Sequence, residues 1–302
     1  MKQIPKTDLK VFPITLGTMT YGSPVGFEDA VELTRFALAQ GINLIDTANM
    51  YEGYDRYAGS AGGVAEEIVG KAISGMPRNS VLIATKLGMK VGQAPEDEGT
   101  SPKAIQVQLQ RSLQRLKTDY VDLYYLHRPD LSVPYADMLS ALDKEIKAGR
   151  LRYYGGSNYS TQQLAGLLQA ARENHLPRPV VCQPPLSLLK QDALAELIPL
   201  CAAEDIAVIP YQVFQGGLLT GKYRRGQALP KGSRAEEKPD WVADLDSALF
   251  DQLEAFQQAA DGKGVTMTQY AIGWTLEQPA VVSAIVGVKN QRQILDAVGA
   301  VL

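Results

Sequence analysis

VLIATKLGMKVGQAPEDEGTSPKAIQVQLQRSLQRL, residues 81–116, opens on a continuous apolar run, crosses a loop and ends in a segment of helical period. The run does not alternate apolar with polar, which suits a parallel strand covered on both faces. Beyond the loop, Ser101 is placed to cap a helix, with Pro102 at its first position. Ile105, Leu109, Leu113 and Leu116 then recur at helical spacing and share one face. A two-sided strand followed by a one-sided helix is the building unit of a parallel sheet.

The same unit repeats in both directions along the chain. Strand-like runs are expected at residues 11–17, 42–48, 121–127, 152–158, 180–185, 207–213 and 282–288. Helical segments follow them at 28–41, 62–73, 135–149, 160–175, 192–205, the pair 247–264 and 266–278, and 291–301. Gly41 is positioned to close the first helix, and Leu194, Leu197, Ile198 and Cys201 form one stripe of the sixth. Eight such units in 302 residues predict a single-domain (β/α)8 barrel over residues 1–302. The rival is a doubly wound open sheet, which usually carries G-x-G-x-x-G after its first strand; LGTMTYG, 16–22, is not that turn. Two connections, 51–62 and about 216–246, exceed the usual few residues, and loops of that length are commonly functional.

Composition narrows the function classes. A net charge of −3 with no Lys/Arg stripe gives no electrostatic footprint for nucleic acid. No run of eighteen apolar residues suggests a membrane span, and the N-terminus does not look like a cleaved signal. Cys182 and Cys201 lie in apolar contexts and read as buried thiols of a reducing, cytoplasmic setting. No metal-ligand spacing is present.

In a (β/α)8 barrel the chemistry sits where strands end at the C-terminal rim. Those ends carry Asp46, with Tyr51 just beyond, then Lys86, His127, Ser157 and Asn158, Gln183, and Tyr211 with Gln212. Each has a plainer reading. Asp46 can satisfy turn amides, Tyr51 is one of fourteen tyrosines, and His127 can be a satisfied core histidine. Lys86 is harder to set aside, because a buried lysine needs a partner. Asp46 would supply one. Together the four describe a tuned acid. Lys86 beside Tyr51 is expected to lower the phenol pKa, Asp46 to hold the lysine charged, and a neutral His127 to orient a carbonyl.

At this point the chain resembles the aldo-keto reductases. Asp46, Tyr51, Lys86 and His127 match that family's catalytic tetrad in order and local sequence. LGTMTYG, LIDTANMY, AEEIVGKAI, TDYVDLYYLHRPD, GSN, GGLLTGKY and WTLEQP look like its landmarks, from about Val11 to the C-terminus. The resemblance implies an NADP(H)-dependent carbonyl reductase without metal, with NAD(H) as the alternative cofactor. It assigns Ser157, Asn158 and Gln183 to the nicotinamide carboxamide and Tyr211 to stacking on the ring. Gln212, Gly217, Leu218 and Lys222 would follow the pyrophosphate, and Arg234 would fold over the cofactor. GVKNQRQILDA, 287–297, with Gly287, Lys289, Gln293 and Asp296, would hold the adenosine 2′-phosphate. The chain departs from the family at Asp296–Ala297, at Gln212–Val213–Phe214 after the stacking tyrosine, and at Leu186.

Arg56, Tyr57 and Arg128 near the mouth suit a sugar-derived or otherwise hydroxylated carbonyl substrate. Two other readings compete. A Schiff-base aldolase would need a neutral Lys86. A cofactor-sensing subunit with weak turnover would resemble the potassium-channel β subunits of the same branch.

Overall fold

The computed structural model describes residues 1–57 and 59–302. A short antiparallel hairpin, β1 (Lys2–Gln3) with β2 (Lys10–Val11), precedes eight parallel strands. These are β3 (Ile14–Gly17), β4 (Leu44–Asp46), β5 (Leu82–Leu87), β6 (Val121–Leu126), β7 (Leu151–Ser157), β8 (Val181–Gln183), β9 (Ala207–Val208) and β10 (Ala284–Gly287). They lie in the order β10-β3-β4-β5-β6-β7-β8-β9. The ring closes through Val208, whose N–H donates to Ala280 O at 2.8 Å and whose carbonyl accepts from Val282 N at 3.1 Å. The expected barrel is the observed architecture.

The barrel helices are α1 (Phe27–Ala39), α2 (Val64–Ala72), α3 (Pro102–Leu116), α4 (Tyr135–Lys147), α5 (Thr161–Glu173), α6 (Leu197–Ala203), α9 (Met267–Leu276) and α10 (Gln291–Val298). Two more, α7 (Arg234–Glu237) and α8 (Ser247–Gly262), belong to the long connection after β9. On α3 the Ser101 hydroxyl accepts from Ala104 N at 3.2 Å, and the whole predicted stripe is buried. That stripe packs on Ile83, Leu87, Tyr124 and Leu126, the outward faces of β5 and β6.

Strand parity decides what points into the barrel. Leu44, Ala84, Leu123 and Tyr125 meet in an interior cluster with Ile4, Leu9 and Val11 of the hairpin segment. Residues two along a strand share a face. Asp46 therefore points inward after Leu44, and Lys86 after Ala84. The register sets Asp46 opposite Ala84 and Lys86 opposite Tyr125.

Two expectations at element ends are corrected. The seventh strand stops at Val208, well short of residue 213, because Pro210 has no N–H for the ladder; Tyr211 forms an isolated bridge to Pro185, just beyond β8. The sixth helix starts at Leu197, with Asp192–Leu194 forming a separate 3-10 turn that leaves Leu194 only half-buried. Pro199 fits the first turn of a helix but not its interior, so the helix begins just before it.

Candidate active site

Lys86 has no exposed surface, and Asp46 has almost none. The ammonium Nζ lies 2.5 Å from Asp46 Oδ1, 2.9 Å from Thr47 O and 3.3 Å from the Tyr51 hydroxyl. The second carboxylate oxygen, Oδ2, accepts from Gln183 Nε2 at 2.8 Å. Burial opposes the lysine charge, but Asp46 and Tyr51 outweigh it and hold the ammonium above its ordinary 10.5. A buried charge paired this closely stays ionised.

Tyr51 is half-buried by surface area, while its hydroxyl is enclosed by protein, and the enclosure decides its titration. Here the expectation of a lowered pKa is corrected. Burial raises the phenol above 10.0; Lys86 pulls it down, but not far enough, and Asp46 adds to the rise. His127 meets the Tyr51 ring edge-on, with centroids 5.9 Å apart. Burial, with Lys86, Arg128 and Arg56 nearby, holds the imidazole well below 6.5, so it is neutral at physiological pH. Its Nδ1 is buried without a partner.

A second group continues the rim. Ser157 Oγ donates to Gln183 O at 2.9 Å. Asn158 sits at φ +62°, donates to His127 O at 2.8 Å and accepts from the Tyr211 hydroxyl at 2.7 Å. The strand-end residues from β4 to β9 therefore form one connected polar arc.

Residues 13–302 match the model of the aldo/keto reductase family. The chain belongs to that family. It is 34% identical to a probable voltage-gated potassium channel subunit beta of Arabidopsis thaliana, over 99% of this chain and 90% of that one. It is 31% identical to an uncharacterized oxidoreductase of Bacillus subtilis, over 98% of this chain and 89% of that one. Among solved structures, the glycerol dehydrogenase AKR11B4 of Gluconobacter oxydans aligns with a TM-score of 0.82 at 28% identity, covering 99% and 89% of the two chains.

In this aldo/keto reductase the remaining candidate positions separate by how they are engaged. Lys222, Arg234 and Lys289 converge from the loops after β9 and β10. Burial lowers the Lys222 pKa, and the nearby Lys289 and Arg234 charges lower it further. The Arg234 guanidinium lies 4.6 Å from the centroid of Tyr54 and 5.4 Å from that of Trp241, with its Nε buried and unpartnered. Gln212 sits at φ +58° where the chain turns out of the barrel, and Leu218 has a buried side chain. The space beside Gly287 is open. Gln293 accepts from Lys289 N at 2.7 Å, and Asp296 accepts from Thr266 Oγ1 at 2.8 Å, so both tie α10 to its surroundings.

Gly217 has φ +95°, and a Cβ there would lie 2.6 Å from Lys222 Nζ. Gly217→Ala is expected to cost about 1–2 kcal/mol of stability through that backbone geometry. It should also displace the Lys222 ammonium and weaken binding of any anion held there. Urea unfolding and a binding titration check both.

Sequence reasoning missed three contributors. Tyr54 and Trp241 meet edge-on at 5.5 Å across the two long loops. Glu237 approaches Lys289 Nζ at 2.5 Å. Only Trp241 carried a signal, as a large apolar residue in a charged loop. Arg56 donates to Met50 O and Lys90 O, and Arg128 to the Glu98 carboxylate. Among the described residues no cluster of His, Cys, Asp and Glu is arranged for a metal, and no helix is long and apolar enough to cross a membrane. A cavity of about 320 Å³ beside Arg78, Val81 and Tyr120 lies at the N-terminal end of the barrel, away from this rim.

Proposed function

We propose that this aldo/keto reductase reduces an aldehyde or ketone to the alcohol with NADP(H). The carrying observation is the line from Asp46 through Lys86 to the Tyr51 hydroxyl, with a neutral His127 beside it. The dihydronicotinamide, when bound, supplies a hydride. Tyr51 supplies the proton. Its raised pKa keeps the hydroxyl protonated at neutral pH, as a general acid must be. As negative charge develops on the carbonyl oxygen, the proton passes to it from Tyr51. Lys86, held charged by Asp46, stabilises the phenolate left behind. Neutral His127 has one ring N–H with which to orient the same oxygen.

The residues present fit the cofactor. Arg234 has an orphaned buried Nε, and Gly217 leaves a cradle beside Lys222 that a Cβ would fill. Asn158, Ser157 and Gln183 would receive the carboxamide, Tyr211 the ring, and Lys289 the 2′-phosphate. A Schiff-base role for Lys86 is disfavoured, because that chemistry needs a neutral amine. With Arg56 bonded to loop carbonyls and Arg128 beside Glu98, the mouth offers polar groups suited to a hydroxylated carbonyl. The glycerol dehydrogenase neighbour supports the same substrate class.

The test is cofactor oxidation with a reactive aromatic aldehyde, run with NADPH and with NADH. Tight NADPH binding without turnover of any carbonyl would favour the alternative of a cofactor-binding regulatory subunit, in keeping with a channel subunit among the relatives.

The pH profile follows from the two titrating groups. Carbonyl reduction should hold level from about pH 6 to 9, because Tyr51 stays protonated there and His127 stays neutral. It should fall only as the phenol ionises, while alcohol oxidation should rise with pH. An inflection near His127's ordinary 6.5 in kcat/KM would contradict this assignment.

A further inference from the structure

Three cations, Lys222, Arg234 and Lys289, gather where the loops after β9 and β10 meet, and one carboxylate is set among them. Glu237, the last residue of α7, holds Lys289 Nζ at 2.5 Å, and its charge also reaches Lys222. Lys289 Nζ donates a second bond to Gly232 O at 2.7 Å and lies 5.3 Å from the centroid of the Tyr54 ring. The ammonium thus has two of its three donors engaged and an aromatic face beside it.

We propose that Glu237 sets the choice between phosphorylated and unphosphorylated nicotinamide dinucleotides, by occupying the cation that would otherwise be free for the 2′-phosphate. The inference rests on the reading of Lys289 as the 2′-phosphate contact. A phosphate dianion arriving at Lys289 meets a carboxylate already bound there. It must displace Glu237 or remain beside a like charge. NADH brings only a hydroxyl to that position and meets no such repulsion. Glu237 is half-buried, so solvent screens it only in part. The carboxylate therefore opposes the preference that Lys222, Arg234 and Lys289 would confer by themselves. In effect it narrows the gap between the two cofactors. Glu236, its neighbour, instead turns to Gly232 N and leaves Lys289 to Glu237.

The experiment measures dissociation constants for NADPH and NADH on the full chain by fluorescence quenching. Adenosine 2′,5′-bisphosphate and AMP serve as competing probes. Glu237→Gln keeps the side-chain shape and removes the charge. It should tighten NADPH and the bisphosphate about five- to tenfold and leave NADH and AMP within about twofold. Glu237→Asp keeps a carboxylate and should stay near the wild-type ratio. In a Lys289→Ala background the gain from Glu237→Gln should shrink, because the contested cation is gone.

An unchanged NADPH constant in Glu237→Gln, or equal tightening of both dinucleotides, overturns the proposal. So does a gain that persists undiminished without Lys289. The underlying reading fails separately: if Lys289→Ala by itself leaves NADPH affinity unchanged, Lys289 is not the 2′-phosphate contact. Failure of the wild type to bind either dinucleotide would remove both.

Discussion

Tyr51→Phe should lower kcat/KM for carbonyl reduction by about 10²–10⁴-fold. The substitution removes one oxygen and keeps the ring, so the edge contact with His127 survives. Lys86 keeps its bonds to Asp46 and Thr47 O and loses only the longer one to the phenol. The buried pair therefore stays satisfied, and stability should change little. NADPH affinity should remain within about twofold, because no proposed dinucleotide contact involves the lost hydroxyl. Steady-state kinetics with an aromatic aldehyde and a binding titration together give the result. Retained turnover would move the proton donor elsewhere. Loss of cofactor binding alongside turnover would point to a structural effect instead.

Lys86→Met should cost both activity and stability. It leaves Asp46 buried, with Gln183 still donating to Oδ2 but no cation at Oδ1. Breaking one side of a buried ion pair typically costs about 3–5 kcal/mol. For a chain of this size that corresponds to a fall in Tm on the order of 10 °C. Activity should fall by a separate route. Without the ammonium nothing opposes the burial and the Asp46 charge that raise the Tyr51 pKa, so the phenol becomes a weaker acid. The double substitution Asp46→Asn with Lys86→Met should recover part of the stability, since no charge is then stranded, but none of the activity. Equal recovery of both would show that the pair acts only structurally.

The gathering of Asp46, Tyr51, Lys86 and His127 was legible because each ends or follows a strand whose apolar run is readable. Asp46 closes INLID, Lys86 closes VLIAT before its last leucine, and His127 follows VDLYYL. The parity rule that sends Leu44 inward sends Asp46 inward too, and the order of units makes neighbours of strand ends. The sign of the Tyr51 shift was not legible. It is a contest between desolvation and a nearby cation, and the depth of the hydroxyl has no sequence signature. The β1–β2 hairpin also escaped notice, because two-residue strands are too short to show a period.

The sequence by itself determined the eight-unit order and which titratable residues reach the rim. These follow from local periodicity, which any stretch of a few residues displays. Only the tertiary structure decided that Glu237 takes Lys289, that Tyr54 and Trp241 flank Arg234, and that Arg56 reaches the carbonyls of Met50 and Lys90. Each of those contacts joins residues from separate loops, or commits a side chain to backbone the loop alone can place. A charged residue in a loop looks solvated until its partner is brought to it. That partner is set by how the barrel aims its loops.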